Sequence, residues 1–217
     1  MKVERKAVLK YEEKLRLDQY KFALRPDGPL SKALILVFTI VLYAPLYYFV
    51  RLFLCWLWDV QPWNGLESWF SIGSLTFVRP DAAYFACGLV LVGTGVFRLV
   101  RVTAENHAVR DPQSGAPQTL LTSGMYAKSR HPMYASFILL QAGFLLSLRS
   151  LPAMILAAIA AALQYANAYF EEKKFLVPAF REEYALYRET VKAMVLTKTE
   201  AAALLALALF SAAGFFL

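Results

Sequence analysis

Charged side chains are scarce in this sequence. Asp, Glu, Lys and Arg make up 18% of its 217 residues, against about 25% in soluble domains, and the place is taken by 59% hydrophobic residues with a mean hydropathy of +0.45. A large water-soluble core is thereby excluded. So is an enzyme of several folded lobes, because few residues remain outside the apolar runs. Cysteine is nearly absent as well. Cys55 and Cys87 each lie in apolar sequence and read as small hydrophobes with no disulfide or metal role, so no metal site is expected. Negative charge is the scarcer sign, 16 Asp+Glu against 23 Lys+Arg for a formal +7. The basic residues flank apolar runs and are not gathered among base-stacking aromatics, which excludes nucleic acid as a partner. The opening residues hold too much charge for a cleaved signal peptide.

What the chain has instead is long uncharged stretches, and these predict an all-α, polytopic helical membrane protein with four to five transmembrane helices. Residues 1–29 are expected to form an amphipathic surface helix with Val3, Ala7, Tyr11, Leu15 and Phe22 near one face, stopped by Arg25-Pro26-Asp27-Gly28-Pro29. Leu30 to Leu57 is long enough for a first span across a ~30 Å hydrocarbon layer. Trp56, Trp58, Trp63 and Trp69 then surround Pro62-Trp63-Asn64-Gly65, a composition suited to the headgroup level. A second span runs from about Ala82 to Val100, where Gly88, Gly93 and Gly95 would admit a neighbouring helix. A polar stretch, Arg101 to Ser129, contains a loop at 111–117. Pro132 to Leu148 and Ala153 to Phe170 form a helical hairpin around Arg149-Ser150-Leu151-Pro152, and Ala201 to Leu217 is a final apolar run at the lower limit for a fifth span. The core is thus expected over 30–198, followed by an apolar helix over 199–217. Lys and Arg crowd the segment before the first span, Arg101 to Arg130, and the stretch after Phe170, whereas Arg149 stands alone at the hairpin tip. This alternation places the N-terminus and both polar stretches in the cytoplasm.

The hairpin decides which polar residues meet. Its two arms are of similar length, so their rises cancel and the flanking sequences end at one level. One flank is Tyr126 to Tyr134, with Arg130-His131-Pro132 at its centre; the other is Glu171-Glu172. Pro132 suits the first turn of a helix, and the free amides of that turn, with Arg130 and His131, favour an anion. A glutamate opposite favours a cation, and Tyr126 and Tyr134 offer aromatic faces to an onium group. A ligand carrying carboxylate, amine and sulfonium, such as S-adenosylmethionine, would suit this pocket. His107 has no partner in sequence and no expected role.

Leu121-Thr122-Ser123-Gly124-Met125-Tyr126, Arg130-His131-Pro132-Met133-Tyr134, Glu171-Glu172 and Phe180-Arg181-Glu182-Glu183-Tyr184-Ala185-Leu186-Tyr187 together resemble the isoprenylcysteine carboxyl methyltransferase family, within the wider group that contains phospholipid methyltransferases. The likeness spans 118–192. It implies S-adenosylmethionine bound at the cytosolic face and a lipid-like or prenylated acceptor arriving from the bilayer. It also implies donor contacts at Gln118, Thr119, Leu120, Leu121, Tyr126, His131, Pro132, Met133, Tyr134 and one of Glu171 and Glu172, with Glu172 preferred and given a catalytic role.

Three departures accompany the likeness. The family usually has His at the position of Gln118. Its Phe-Gly pair, eight residues after the first Glu, matches Phe180 only if counted from Glu172, and Arg181 replaces the glycine. An arginine that resembles an acceptor-carboxylate clamp is replaced by Ala168, or by Asn167 in the other register, and neither can supply a bidentate guanidinium. Arg98 or Arg101 would have to substitute, or the acceptor is not a carboxylate. A phospholipid amine N-methyltransferase, a nicotinamide-dependent membrane reductase and a non-catalytic membrane scaffold stand as alternatives.

Overall fold

The computed structural model describes residues 28–57, 60–107 and 119–216. The helix expected before Pro26, the loop at 111–117, Trp58 and Gln118 lie outside them. The chain is an all-α membrane protein whose elements follow the apolar runs. Helix α1, Pro29–Leu57, is followed by a small antiparallel ribbon, β1 Phe70–Ile72 and β2 Leu75–Phe77, and then by α2, Pro80–His107. A 3₁₀ turn at Gly124–Ala127 leads to α3, Pro132–Ser147, and α4, Leu151–Glu171. A π-helical turn, Glu172–Leu176, joins α4 to α5, Val177–Thr190, and α6 is Lys198–Ala213.

Among the described residues, α1, α2 and the continuous α4–α5 rod are long and apolar enough to cross a bilayer. The apolar part of α4, 151–170, is its spanning segment. Helix α3 has sixteen residues and rises about 24 Å, less than a full crossing. It is sheathed by its neighbours instead: Ala135, Ile138, Leu139, Ala142 and Leu146 are buried, and so are its tip residues Leu148, Arg149 and Ser150. Helix α6, also sixteen residues, adds Leu204 and Leu207 to the same core and is started by a capping box between Thr197 and Glu200.

Small residues set the spacing of α2 and α3, as expected where packing and not water exclusion drives association. A Cβ on Gly95 would lie 3.0 Å from the Leu140 backbone nitrogen, and one on Gly88 would overlap Ser147. Gly93 faces α1 and serves no such approach, since the nearest atom to its added Cβ is the Thr39 methyl at 3.9 Å.

Two departures from expectation matter. Helix α2 runs seven residues past Val100, to His107, because its amphipathic last turns need only one buried face and hydropathy alone does not mark them. The tryptophan-rich segment leads into the β-ribbon, which caps the far end of the bundle. There Asp81 accepts from Arg51 at 2.9 Å and stands 3.3 Å from Arg149 Nε. This buried triad ties α1, α2 and the hairpin tip together.

Candidate functional site

At the opposite end the hairpin returns its two flanks to one place. Arg130 Nε donates to Glu172 Oε1 at 2.8 Å, His131 Nε2 lies 3.3 Å from the same oxygen, and His131 Nδ1 lies 3.3 Å from Glu171 Oε2. One imidazole thus bridges both glutamates. Arg130, His131 and Glu172 are buried, whereas the Glu171 side chain is 40% exposed.

The local backbone explains why these residues hold still. The segment after α5 runs alongside residues 129–131, with Arg130 N–H donating to Ala193 O and His131 N–H to Met194 O, each at 2.9 Å. The Arg130 guanidinium donates to Val191 O at 2.9 Å and the Ser129 hydroxyl to Val195 O at 2.5 Å. The extended α2 supports the other side: Glu105 accepts from Met125 N–H at 3.0 Å and Asn106 Oδ1 from the Tyr126 hydroxyl at 2.6 Å. Gly124 is required there twice over. Its φ is +63°, and a Cβ would collide with the Glu105 carboxylate.

Charges in the cluster are mutually stabilised. Burial alone would raise the Glu172 pKa, but hydrogen bonds from His131 and Arg130 outweigh it and hold the carboxyl well below the usual carboxylate range. Burial would lower the His131 pKa, yet hydrogen bonds to Glu171 and Glu172 prevail and raise it. Both shifts favour the charged forms, so the His131 ring and the two carboxylates stabilise one another's charge, and Glu172 also pairs with the Arg130 guanidinium.

Above it opens a cleft of ≈ 700 Å³, counted out to solvent and lined by residues of the α2 end, the 119–134 segment, Glu171 and α5. Of the residues expected to hold a donor, Thr119, Leu120, Leu121, Tyr126, His131, Met133, Tyr134 and Glu171 line it. Pro132 is buried at the first turn of α3 behind them, and Glu172 lies beneath His131 and Arg130, off the cleft surface. The π turn accounts for the spacing from Glu171: an i→i+5 turn absorbs one extra residue, so Phe180 reaches the cleft nine positions along the chain. Arg98, Arg101, Asn167 and Ala168 do not line it. Arg98 is buried in an ion pair with Glu200, Arg101 lies over the Phe97 ring, Asn167 is exposed and Ala168 is buried.

Arg130, expected at the anion-favouring turn, also lines the cleft, and so do Asn106, Leu176, Phe180, Tyr184 and Tyr187, for which the sequence implies no donor contact. Tyr184 and Tyr187, three apart, share a helix face, a signal present in the motif that carries the resemblance. The Tyr187 hydroxyl donates to Tyr126 O at 2.7 Å. Between Phe180 and Tyr184 the helix kinks at Arg181, whose φ of 40° and ψ of −110° suit glycine, not a side chain. Arg181→Gly is expected to stabilise the protein by about 1 kcal/mol through relief of that strain. A lower melting temperature in detergent for the variant would contradict this.

Residues 82–183 match the profile of a family described as phospholipid methyltransferase. No curated protein matches the chain.

Proposed function

We propose, on the match of residues 82–183 to a phospholipid methyltransferase family, that the chain is an integral membrane methyltransferase of that kind and transfers a methyl group from S-adenosylmethionine to an amine of a lipid headgroup. The observation that carries this reading is the make-up of the cleft, which offers an exposed carboxylate, free helix-start amides and aromatic faces but no uncommitted guanidinium among its described residues. Ala135 N–H already bonds to His131 O, so the first-turn amides of Met133 and Tyr134 lack intrahelical acceptors and suit the donor's carboxylate. Glu171, not Glu172, faces the cleft and would take the donor's amino group. Tyr126 and Tyr134 would flank the sulfonium, and Leu120, Leu176 and Phe180 would cover the adenine. When bound, this donor supplies an electrophilic methyl group on sulfur; the protein's part is to align the acceptor with it and exclude water.

The acceptor class follows from what is committed elsewhere. Arg130 is held by Glu172 and by main-chain carbonyls, and Arg98 by Glu200, so neither can clamp an acceptor carboxylate as a bidentate guanidinium would. An isoprenylcysteine-type carboxylate acceptor is disfavoured for that reason. On this reading 118–192 is the catalytic part of the core, and the distribution of Lys and Arg along the sequence supports a cytoplasmic face for it.

Calorimetry with S-adenosylmethionine, its demethylated product and NADPH tests the assignment. Binding of NADPH alone would make the protein a reductase, and binding of none a scaffold. Glu171→Gln should cost about 1.5–3 kcal/mol, or about ten- to a hundredfold in donor affinity, through loss of one charge-assisted hydrogen bond. Affinity within twofold of the parent would remove Glu171 from the site.

A further inference from the structure

A second, smaller cavity, ≈ 340 Å³ when likewise counted out to solvent, adjoins the cleft and is lined by Thr103, Asn106, His107 and Met133. Asn106 and Met133 line both spaces, so a group entering the small cavity reaches the wall of the large one. Its volume exceeds what a single water needs several times over and suits an ammonium with its first carbons. Thr103 and His107 lie on the exposed side of α2, at the end of a spanning helix, which is the depth of a lipid headgroup.

The cleft itself has no carboxylate placed to receive an acceptor's proton. Glu172 is consumed by Arg130 and His131, and Glu171 is hydrogen-bonded to His131 and assigned to the donor's amine. An ammonium acceptor cannot attack until it has lost a proton. His107 is the ionisable side chain that lines the small cavity, and its imidazole can accept that proton.

We propose that the Thr103–His107 cavity receives the primary or secondary amine of a lipid headgroup and that His107 is the general base for its methylation; this rests on the amine reading above. The ammonium N–H proton passes to an imidazole nitrogen of His107. The freed nitrogen lone pair then forms the N–C bond while the C–S bond of the sulfonium donor breaks, its electron pair staying on sulfur. The methylated nitrogen carries the positive charge that the sulfur loses, and His107 releases its proton to water.

Two measurements test this, the first without donor. In nanodiscs, carbethoxylation of His107 by diethyl pyrocarbonate, followed by peptide mass spectrometry, should be severalfold slower with phosphatidylethanolamine present than in phosphatidylglycerol alone. Equal rates would overturn the cavity assignment. In the second, His107→Ala should lower kcat on phosphatidylethanolamine about 100-fold, the lower range for a lost general base, with donor affinity unchanged and turnover partly restored by added imidazole. Unaltered kcat, or a loss that imidazole does not rescue, would overturn the role of His107. The premise fails separately: if the parent protein methylates a carboxylate or thiol lipid and no amine lipid, the function proposed above falls before any variant is made.

Discussion

Glu172→Ala should destabilise the protein by about 3–5 kcal/mol and abolish donor binding, because it removes the shared acceptor of a buried guanidinium and a buried imidazole. The Glu172 carboxylate takes the Arg130 Nε–H at 2.8 Å and meets His131 at 3.3 Å. Without it, Arg130 keeps its main-chain acceptors but loses its counter-charge. His131 would then have Glu171 alone, and that glutamate would be drawn from the cleft toward it. The pH dependence of the loss follows from the directions of the shifts. The Glu172 pKa is depressed, so its contribution is present above the ordinary carboxylate range and disappears as pH falls through the folded-state value. The His131 pKa is raised, so its contribution is complete below the ordinary imidazole value and fades as pH rises through the folded-state one. Chemical denaturation of parent and variant in detergent should therefore differ most at mildly acidic pH and converge toward strong acid. A difference that stays constant into strong acid would show that Glu172 acts there by packing and not by charge.

The meeting of Arg130 and His131 with Glu171 and Glu172 was legible in the sequence because it needs only two apolar arms of similar length and a short turn. The long apolar runs were legible for the same reason, length and composition being sufficient to mark them. Which glutamate faces the cleft was not. That depends on the π turn at 172–176, and a one-residue bulge leaves no hydropathy signature; it shows only as the mismatch between the glutamate pair and Phe180. The extension of α2 to His107 was hidden by Arg101 and Glu105, which end an apolar window without ending a helix. Asn106 and the His107 cavity went with it. Arg98 illustrates the opposite case. Its position on the buried face of α2 is what periodicity suggests, but its partner, Glu200, lies a hundred residues away beyond a kinked helix. No local pattern announces that pairing, and so periodicity alone presents a paired arginine as a candidate clamp. Arg181 was noted as standing where glycine is usual, and its left-handed φ is the physical content of that departure.

Asp81→Asn should be as damaging as the loss of Glu172, although it lies at the other end of the bundle. Among the described residues, Asp81 is the one carboxylate in contact with two buried guanidiniums, Arg51 at 1% and Arg149 at 5% side-chain exposure. The triad already carries net positive charge, and the Asn variant would leave both arginines unneutralised at the junction of α1, α2 and the hairpin tip. Partial compensation exists: Arg51 donates to Tyr47 Oη at 3.1 Å and lies 4.6 Å from the Phe77 ring centroid, and Arg149 donates to Gln61 Oε1 at 2.7 Å. These are neutral partners and cannot replace a counter-ion in surroundings that water does not reach, so a cost of about 3–5 kcal/mol is expected. The decisive measurement is a rescue. If uncompensated charge is the cause, adding Arg149→Gln to Asp81→Asn should recover a substantial part of the loss, since one of the two stranded cations is gone; a double-mutant cycle by denaturation in detergent reads this directly. If the double variant is less stable than Asp81→Asn by the full cost of Arg149→Gln, the residues act independently and Asp81 serves chiefly to cap α2 through its 2.6 Å bond from Val78 N–H. Donor affinity separates the two ends of the molecule: in the folded fraction of Asp81→Asn it should match the parent, because none of the triad lines the cleft.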